Sequence, residues 1–235
     1  MKNEDILKKF VKECVNKLNL KSVIKFGSST YSKNFKDIDL MFVFNDDVIK
    51  TSDSLKLRQL IREFEKKNRN IVFDFGGVGT RKRKTKYSVT VVSFGLKDLQ
   101  IKYNPHDLFF LKLLELDKNL KILHGTNPFK NSNISLTKQH LFEMLSVDLK
   151  HALRNNLESV DKDSLYHLFK TFLRAMLIEY GFFEKEELLQ EFNKRFKGKI
   201  KLPRNPKRII LGEIKEEDFK AIIDFAENCL EYLSK

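Results

Sequence analysis

The chain of 235 residues is predicted to fold as α+β, a small mixed β-sheet with flanking helices followed by an all-α helical bundle. Three features predict it. Over residues 1–125, short apolar runs of strand length alternate with amphipathic stripes of helical period. Residues 126–136, with Asn127, Pro128, Asn131 and Asn133, read as a polar linker. From 137 to 235 the apolar residues recur only with the helical period. Hydrophobic residues at 41% and charged residues at 33% exclude a disordered chain. No apolar run approaches the ~18 residues that span a bilayer. The start at Met1-Lys2-Asn3-Glu4-Asp5 has no signal-peptide core, so a cytoplasmic protein without a membrane partner is expected.

Taken in order, Ile6, Phe10, Val11, Cys14 and Leu18 place one apolar stripe on a helix over residues 4–18. Ser22–Phe26 and Asp37–Phe44 follow as strands. Leu57, Leu60, Ile61 and Phe64 mark a helix from Asp53 to Lys67 that would cover one face of the sheet. Ile71–Phe75 and Tyr87–Phe94 are β-rich and are expected to pair antiparallel, as a long hairpin across Gly76-Gly77-Val78-Gly79 and the basic run Arg81–Lys86. Asn104 caps and Pro105 opens a helix reaching Asp117. Lys121–Gly125 is a short apolar segment after it. Beyond the linker, Thr137 caps a helix bearing Phe142, Leu145, Leu149 and Leu153. Ser164–Tyr180 ends at Gly181, and Glu216–Leu233 is the last helix; together these stripes imply an antiparallel bundle. Cys14 and Cys229 lie in helical patterns without metal-ligand neighbours and read as buried thiols. His106, His124, His140, His151 and His167 read as structural or surface residues.

The chemistry concentrates where Val23-Ile24-Lys25-Phe26 runs into Gly27-Ser28-Ser29-Thr30 and, after a spacer, Asp37-Ile38-Asp39 opens the next apolar run. Alternation puts Asp37 and Asp39 on one face of a strand, with Cα atoms roughly 7 Å apart. Such a carboxylate pair repels itself unless a cation lies between its members. With neither His nor Cys nearby, hard, oxygen-seeking Mg²⁺ suits it. Gly27 permits close backbone approach, while the hydroxyls of Ser28, Ser29 and Thr30 suit phosphate oxygens.

The pattern of apolar residues, Gly27-Ser28, a spacer and Asp37-x-Asp39 resembles the signature of the polymerase-β-like nucleotidyltransferase superfamily, over about residues 20–125. The resemblance implies a catalytic domain at 1–125, a linker at 126–136 and a helical domain at 137–235. It implies that Asp37 and Asp39 hold the catalytic metal, two Mg²⁺ ions with Mn²⁺ as the alternative. It further implies that Gly27, Ser28 and Ser29 contact an NTP, ATP being favoured. Members add a third acid from a neighbouring strand. Tyr87–Phe94 has none, so Asp74, flanked by strand residues on both sides, is the candidate third catalytic and metal-binding carboxylate. The helical half resembles the partner domains found beside minimal nucleotidyltransferases, including HEPN-like bundles. It lacks the Arg-x(4–6)-His motif of nuclease members, so no nuclease activity is expected.

Lys plus Arg is 45 against 32 for Asp plus Glu, a formal net charge of +13 that favours a nucleic-acid partner, RNA first. Between Lys194 and Arg208, eight of fifteen residues are basic and none is acidic, a pattern suited to phosphate backbones or to a solvated loop. The expected reaction is transfer of a nucleoside monophosphate from NTP to an acceptor hydroxyl of RNA, protein or a small molecule, releasing pyrophosphate. The alternative is a catalytically inactive nucleic-acid-binding or partner-docking protein on the same fold. Oligomeric state does not follow from the sequence.

Overall fold

The computed structural model describes residues 3–32, 35, 37–74, 87–100, 104–130, 132, 134–157 and 159–235, with the backbone alone described at 3, 4, 74 and 87. The fold is mixed α/β, with a five-stranded mixed sheet and, among the described residues, eight α-helices. No described helix is long and apolar enough to cross a membrane. The chain divides into two compact units, one of residues 1–101 and 117–133, the other of residues 102–116 and 134–235.

The first unit holds α1 (Asn3–Lys17), β1 (Leu20–Phe26), β2 (Asp37–Phe44), α2 (Thr51–Lys67), β3 (Ile71–Asp74), β4 (Tyr87–Phe94) and β5 (Lys121–Gly125). The strands lie in the order β3-β4-β2-β1-β5. β1 runs antiparallel to β2 and β5, whereas β4 runs parallel to both β2 and β3. The expected antiparallel hairpin of β3 and β4 is therefore corrected to a parallel pair. Period-2 alternation is the same for either direction, and the twelve residues 75–86 are long enough for the crossover that parallel neighbours need. Those residues, including the Gly-rich and basic runs, lie outside the described residues.

Alternation also makes the core. Leu40 and Phe42 of β2, Phe73 of β3 and Val91 of β4 are buried in one cluster with Phe10 of α1 and Phe64 of α2. Phe10 sits centrally, its ring 6.1, 5.0 and 4.6 Å from those of Phe42, Phe64 and Phe73, in the tilted and edge-on geometries aromatic pairs prefer. The Phe73 N–H donates to Glu65 Oε1 at 2.8 Å and ties β3 to α2. With α1 and α2 packed on that face, the odd residues at the start of β2 belong to the other.

The second unit is built from α3 (Pro105–Leu116), α4 (Lys138–Asn155), α5 (Lys162–Leu177), α6 (Leu188–Phe196), α7 (Pro206–Ile210) and α8 (Asp218–Leu233). Phe169, Phe172, Phe192 and Phe225 fill its centre. Phe109 of α3 is buried in the same cluster, with Leu113 and Leu116 packed against it, so α3 groups with the helices that follow and not with the sheet. Thr137 caps α4 as expected. Its Oγ1 accepts from His140 N–H while its own N–H donates to His140 Nδ1, each at 3.2 Å, so a histidine does the reciprocal work of the usual acidic residue.

Candidate active site

Asp37 and Asp39 open β2 on the face away from α1 and α2, both partly buried. Antiparallel register sets Asp39 opposite Phe26, the last residue of β1, so the chain turns at Gly27 directly beside the Asp39 carboxylate. Gly27 has φ 73° and ψ −168°, and a Cβ built there would lie 2.3 Å from Asp39 Oδ2. Only glycine fits that approach.

The turn is fastened by its own hydroxyls. Thr30 N–H and Thr30 Oγ1 both donate to Gly27 O, at 3.1 and 2.7 Å. Tyr31 and Ser32 N–H donate to Ser28 O, at 3.3 and 2.8 Å. Ser29 is 6% exposed, and its Oγ has no hydrogen-bond partner among the described residues. A buried hydroxyl left so costs roughly 1–3 kcal/mol, which a ligand oxygen would offset.

Two neighbours escaped the sequence reading. Parallel register sets Ser88 of β4 beside Asp37 and Thr90 beside Asp39. Their sequence signal is the pair of polar residues at matching parity in Tyr87–Phe94, which points to Asp37 and Asp39 only once the strand direction is known. Asp74 pairs through its backbone with Thr90 on the far side of β4, which puts it two strand spacings, roughly 10 Å, from Asp39. Its side chain lies outside the described residues.

Among the described residues no three His, Cys, Asp or Glu side chains cluster at metal-binding distance. The donors that do converge are carboxylate and hydroxyl oxygens, without thiol or imidazole. Mg²⁺ needs only one or two protein carboxylates and completes its shell with water and phosphate, so this donor set fits it.

Elsewhere the expected bystanders have structural roles. His106 Nε2 pairs with Asp148 Oδ1 at 2.9 Å. Cys14 and Cys229 are free, buried thiols, and burial pushes the pKa of each upward. The basic stretch splits in two. Arg195 pairs with Glu191 and stacks on Tyr180, and Arg208 grips Asp218, whereas Lys194, Lys197, Lys199, Lys201, Arg204 and Lys207 are exposed.

No family model and no curated protein matches the chain.

Proposed function

We propose that the chain is a Mg²⁺-dependent nucleotidyltransferase that moves a nucleoside monophosphate from an NTP, ATP favoured, to an acceptor hydroxyl on RNA. The supporting observation is the seat of Asp39 against Gly27, with Asp37 on the same face and hydroxyls on either side. Asp37 and Asp39 would hold the metal, and Asp74, one strand beyond Thr90, is the proposed third carboxylate. When bound, the metal neutralises phosphate charge and acidifies the acceptor hydroxyl. Gly27 brings the backbone of the turn against the Asp39 carboxylate, so a triphosphate held by the metal would lie beside that turn. The buried Ser29 hydroxyl donates to a phosphate oxygen, as does Ser28, and the fixed donors need no reorganisation as charge develops.

In this reading the sheet unit is the catalytic domain. The later helices form an all-α partner domain of the HEPN-like kind, and the protein works in the cytoplasm. Exposed cations from Lys194 to Lys207 would hold the acceptor's phosphates. The test is transfer of α-labelled NTP into cell extract with Mg²⁺. Asp37→Ala with Asp39→Ala should lower transfer at least ~10³-fold, the several kcal/mol that metal charge contributes. Equal labelling by that variant removes the basis of the proposal. Label in the RNA fraction, and not in protein or soluble product, would assign the acceptor.

One observation favours a second reading. Beside Asp37 and Asp39 the adjacent strand offers Ser88 and Thr90, hydroxyls where a carboxylate would complete a two-metal site. A binding module without catalysis predicts no labelling from any NTP and salt-sensitive RNA binding that neither Mg²⁺ nor NTP alters.

A further inference from the structure

Leu141, Met144, Leu145, Leu149 and Ala152 form the buried stripe of α4 and fix that side of the helix against the core of the second unit. At about 100° per residue, Val147, Lys150, Leu153 and Arg154 lie on the opposite side, and all four are exposed. This outer face is not uniformly polar. Three of the eight large hydrophobic side chains exposed among the described residues fall on it or just past its end: Val147 at 41%, Leu153 at 37% and Leu157 at 80%. Exposed aliphatic residues scattered singly are ordinary, whereas three gathered between 147 and 157 make a patch.

Leu157 is held out by ordered backbone. Asn156 Nδ2 donates to Ala152 O at 2.7 Å, and Asn156 Oδ1 accepts from Asp161 N–H at 2.6 Å. Leu157 N–H itself donates to Arg154 O at 3.3 Å, so the turn between α4 and α5 fixes the side chain where it stands. The charge on the face has one sign. Lys150 and Arg154 are one helical turn apart among the aliphatic side chains. Asp148, the one carboxylate between 147 and 157, is engaged elsewhere, with His106 Nε2 of α3 at 2.9 Å. Glu143, a turn earlier, accepts from Gln139 Nε2 at 2.7 Å.

We propose that this face of α4 docks an acidic amphipathic helix of a partner protein. From Val147 to Leu157 the patch runs roughly 15 Å, ten rises of 1.5 Å. A helix laid along it would set apolar anchors at i, i+3 or i+4, and i+7 on Val147, Leu153 and Leu157, with carboxylates on its flank reaching Lys150 and Arg154. Charge argues against a second copy of this chain, because two such faces brought together would oppose Lys150 and Arg154 to themselves on molecules that each carry +13. A phosphate backbone would meet the two cations and leave all three aliphatic side chains in water. The surface belongs to the second unit and uses neither Asp37 nor Asp39, so its test reads out whether or not the chain transfers nucleotides.

The full chain is titrated with a fluorescein-labelled, helix-forming peptide of about fifteen residues that carries leucine at i, i+3, i+4 and i+7 and glutamate on the flanks of that stripe. A counterpart has lysine in place of glutamate. The acidic peptide should bind one per chain and the lysine peptide at least tenfold more weakly. Lys150→Glu with Arg154→Glu should reverse that order, a gain that misfolding cannot produce. Val147→Ser with Leu157→Ser, at exposed positions, should weaken the acidic peptide at least tenfold while leaving the urea midpoint where it was. No binding of the acidic peptide, equal binding of the two peptides, or affinity indifferent to both variant pairs overturns the proposal. So does a wild-type dimer in sedimentation that Val147→Ser with Leu157→Ser dissolves, which would give the face to a second copy. Binding of single-stranded RNA or phosphatidylserine vesicles that this same pair abolishes, with the acidic peptide unbound, also overturns it.

Discussion

Gly27 occupies backbone space that is almost closed to other residues, φ 73° with ψ −168°, and its missing side chain is also the gap that Asp39 fills. The two costs separate experimentally. Gly27→Ala should lower unfolding free energy by about 1–3 kcal/mol from backbone strain, with a further loss from collision with the carboxylate. Adding Asp39→Ala removes the collision and leaves the strain, so urea denaturation of the single and double variants should show partial recovery. Full recovery would mean that the backbone is relaxed. Cys14 carries a different kind of information. Burial raises its thiol pKa from 9.0 to about 12, so the folded chain holds a proton that the unfolded chain releases. Its contribution to stability is complete below pH 9 and is lost as pH rises toward 12. Iodoacetamide at pH 8 should leave Cys14 unmodified in the native protein and alkylate it in urea; alkylation at equal rates would show an open α1.

Among the elements, the link from α7 to α8 has the sharpest chemistry. Arg208 Nη2 lies 2.7 Å from both carboxylate oxygens of Asp218, Arg208 Nη1 donates to Glu213 O at 2.6 Å, and Asp218 is only 4% exposed. Arg208→Ala leaves that carboxylate buried without its counter-charge and should cost about 3–5 kcal/mol by chemical denaturation, with Arg208→Lys rescuing little because an ammonium cannot reproduce the fork. A loss below ~1 kcal/mol would mean that water replaces the guanidinium. This pair also shows why part of the second unit was illegible in sequence. In sequence Arg208 is one cation of a basic run, because the partner that fixes it lies ten residues downstream. α6 is obscure in sequence although Leu188, Phe192 and Phe196 recur every four residues, since its stripe spans only nine residues and runs into the basic segment at Lys194 and Arg195. α1, α2, α5 and α8 were legible because each carries a continuous apolar stripe of three turns or more. At the candidate site, the turn and both aspartates were legible from local spacing, whereas Ser88 and Thr90 depend on strand direction, which alternation does not encode.

For the whole molecule, the charge of +13 is the property with the longest reach. If the exposed cations hold RNA, affinity for a single strand should fall linearly on a log–log plot against salt. Replacing Lys197, Lys199, Lys201 and Arg204 by Gln should reduce the slope by about 3, at ~0.7 per phosphate contact. An unchanged slope in filter binding would make this segment a solvated strap over its buried Phe196 and Ile200. The division into units was only partly legible, because an apolar helix such as α3 advertises that it will be buried but not by which neighbour. Its allegiance has a consequence for a chain made from one end. The sheet's last strand, β5, leaves the ribosome only after α3, and α3 precedes every helix that covers Phe109. Between residues 116 and 125 of synthesis, the nascent protein therefore carries an unfinished sheet and an uncovered apolar helix together, and the second unit begins before the first is complete.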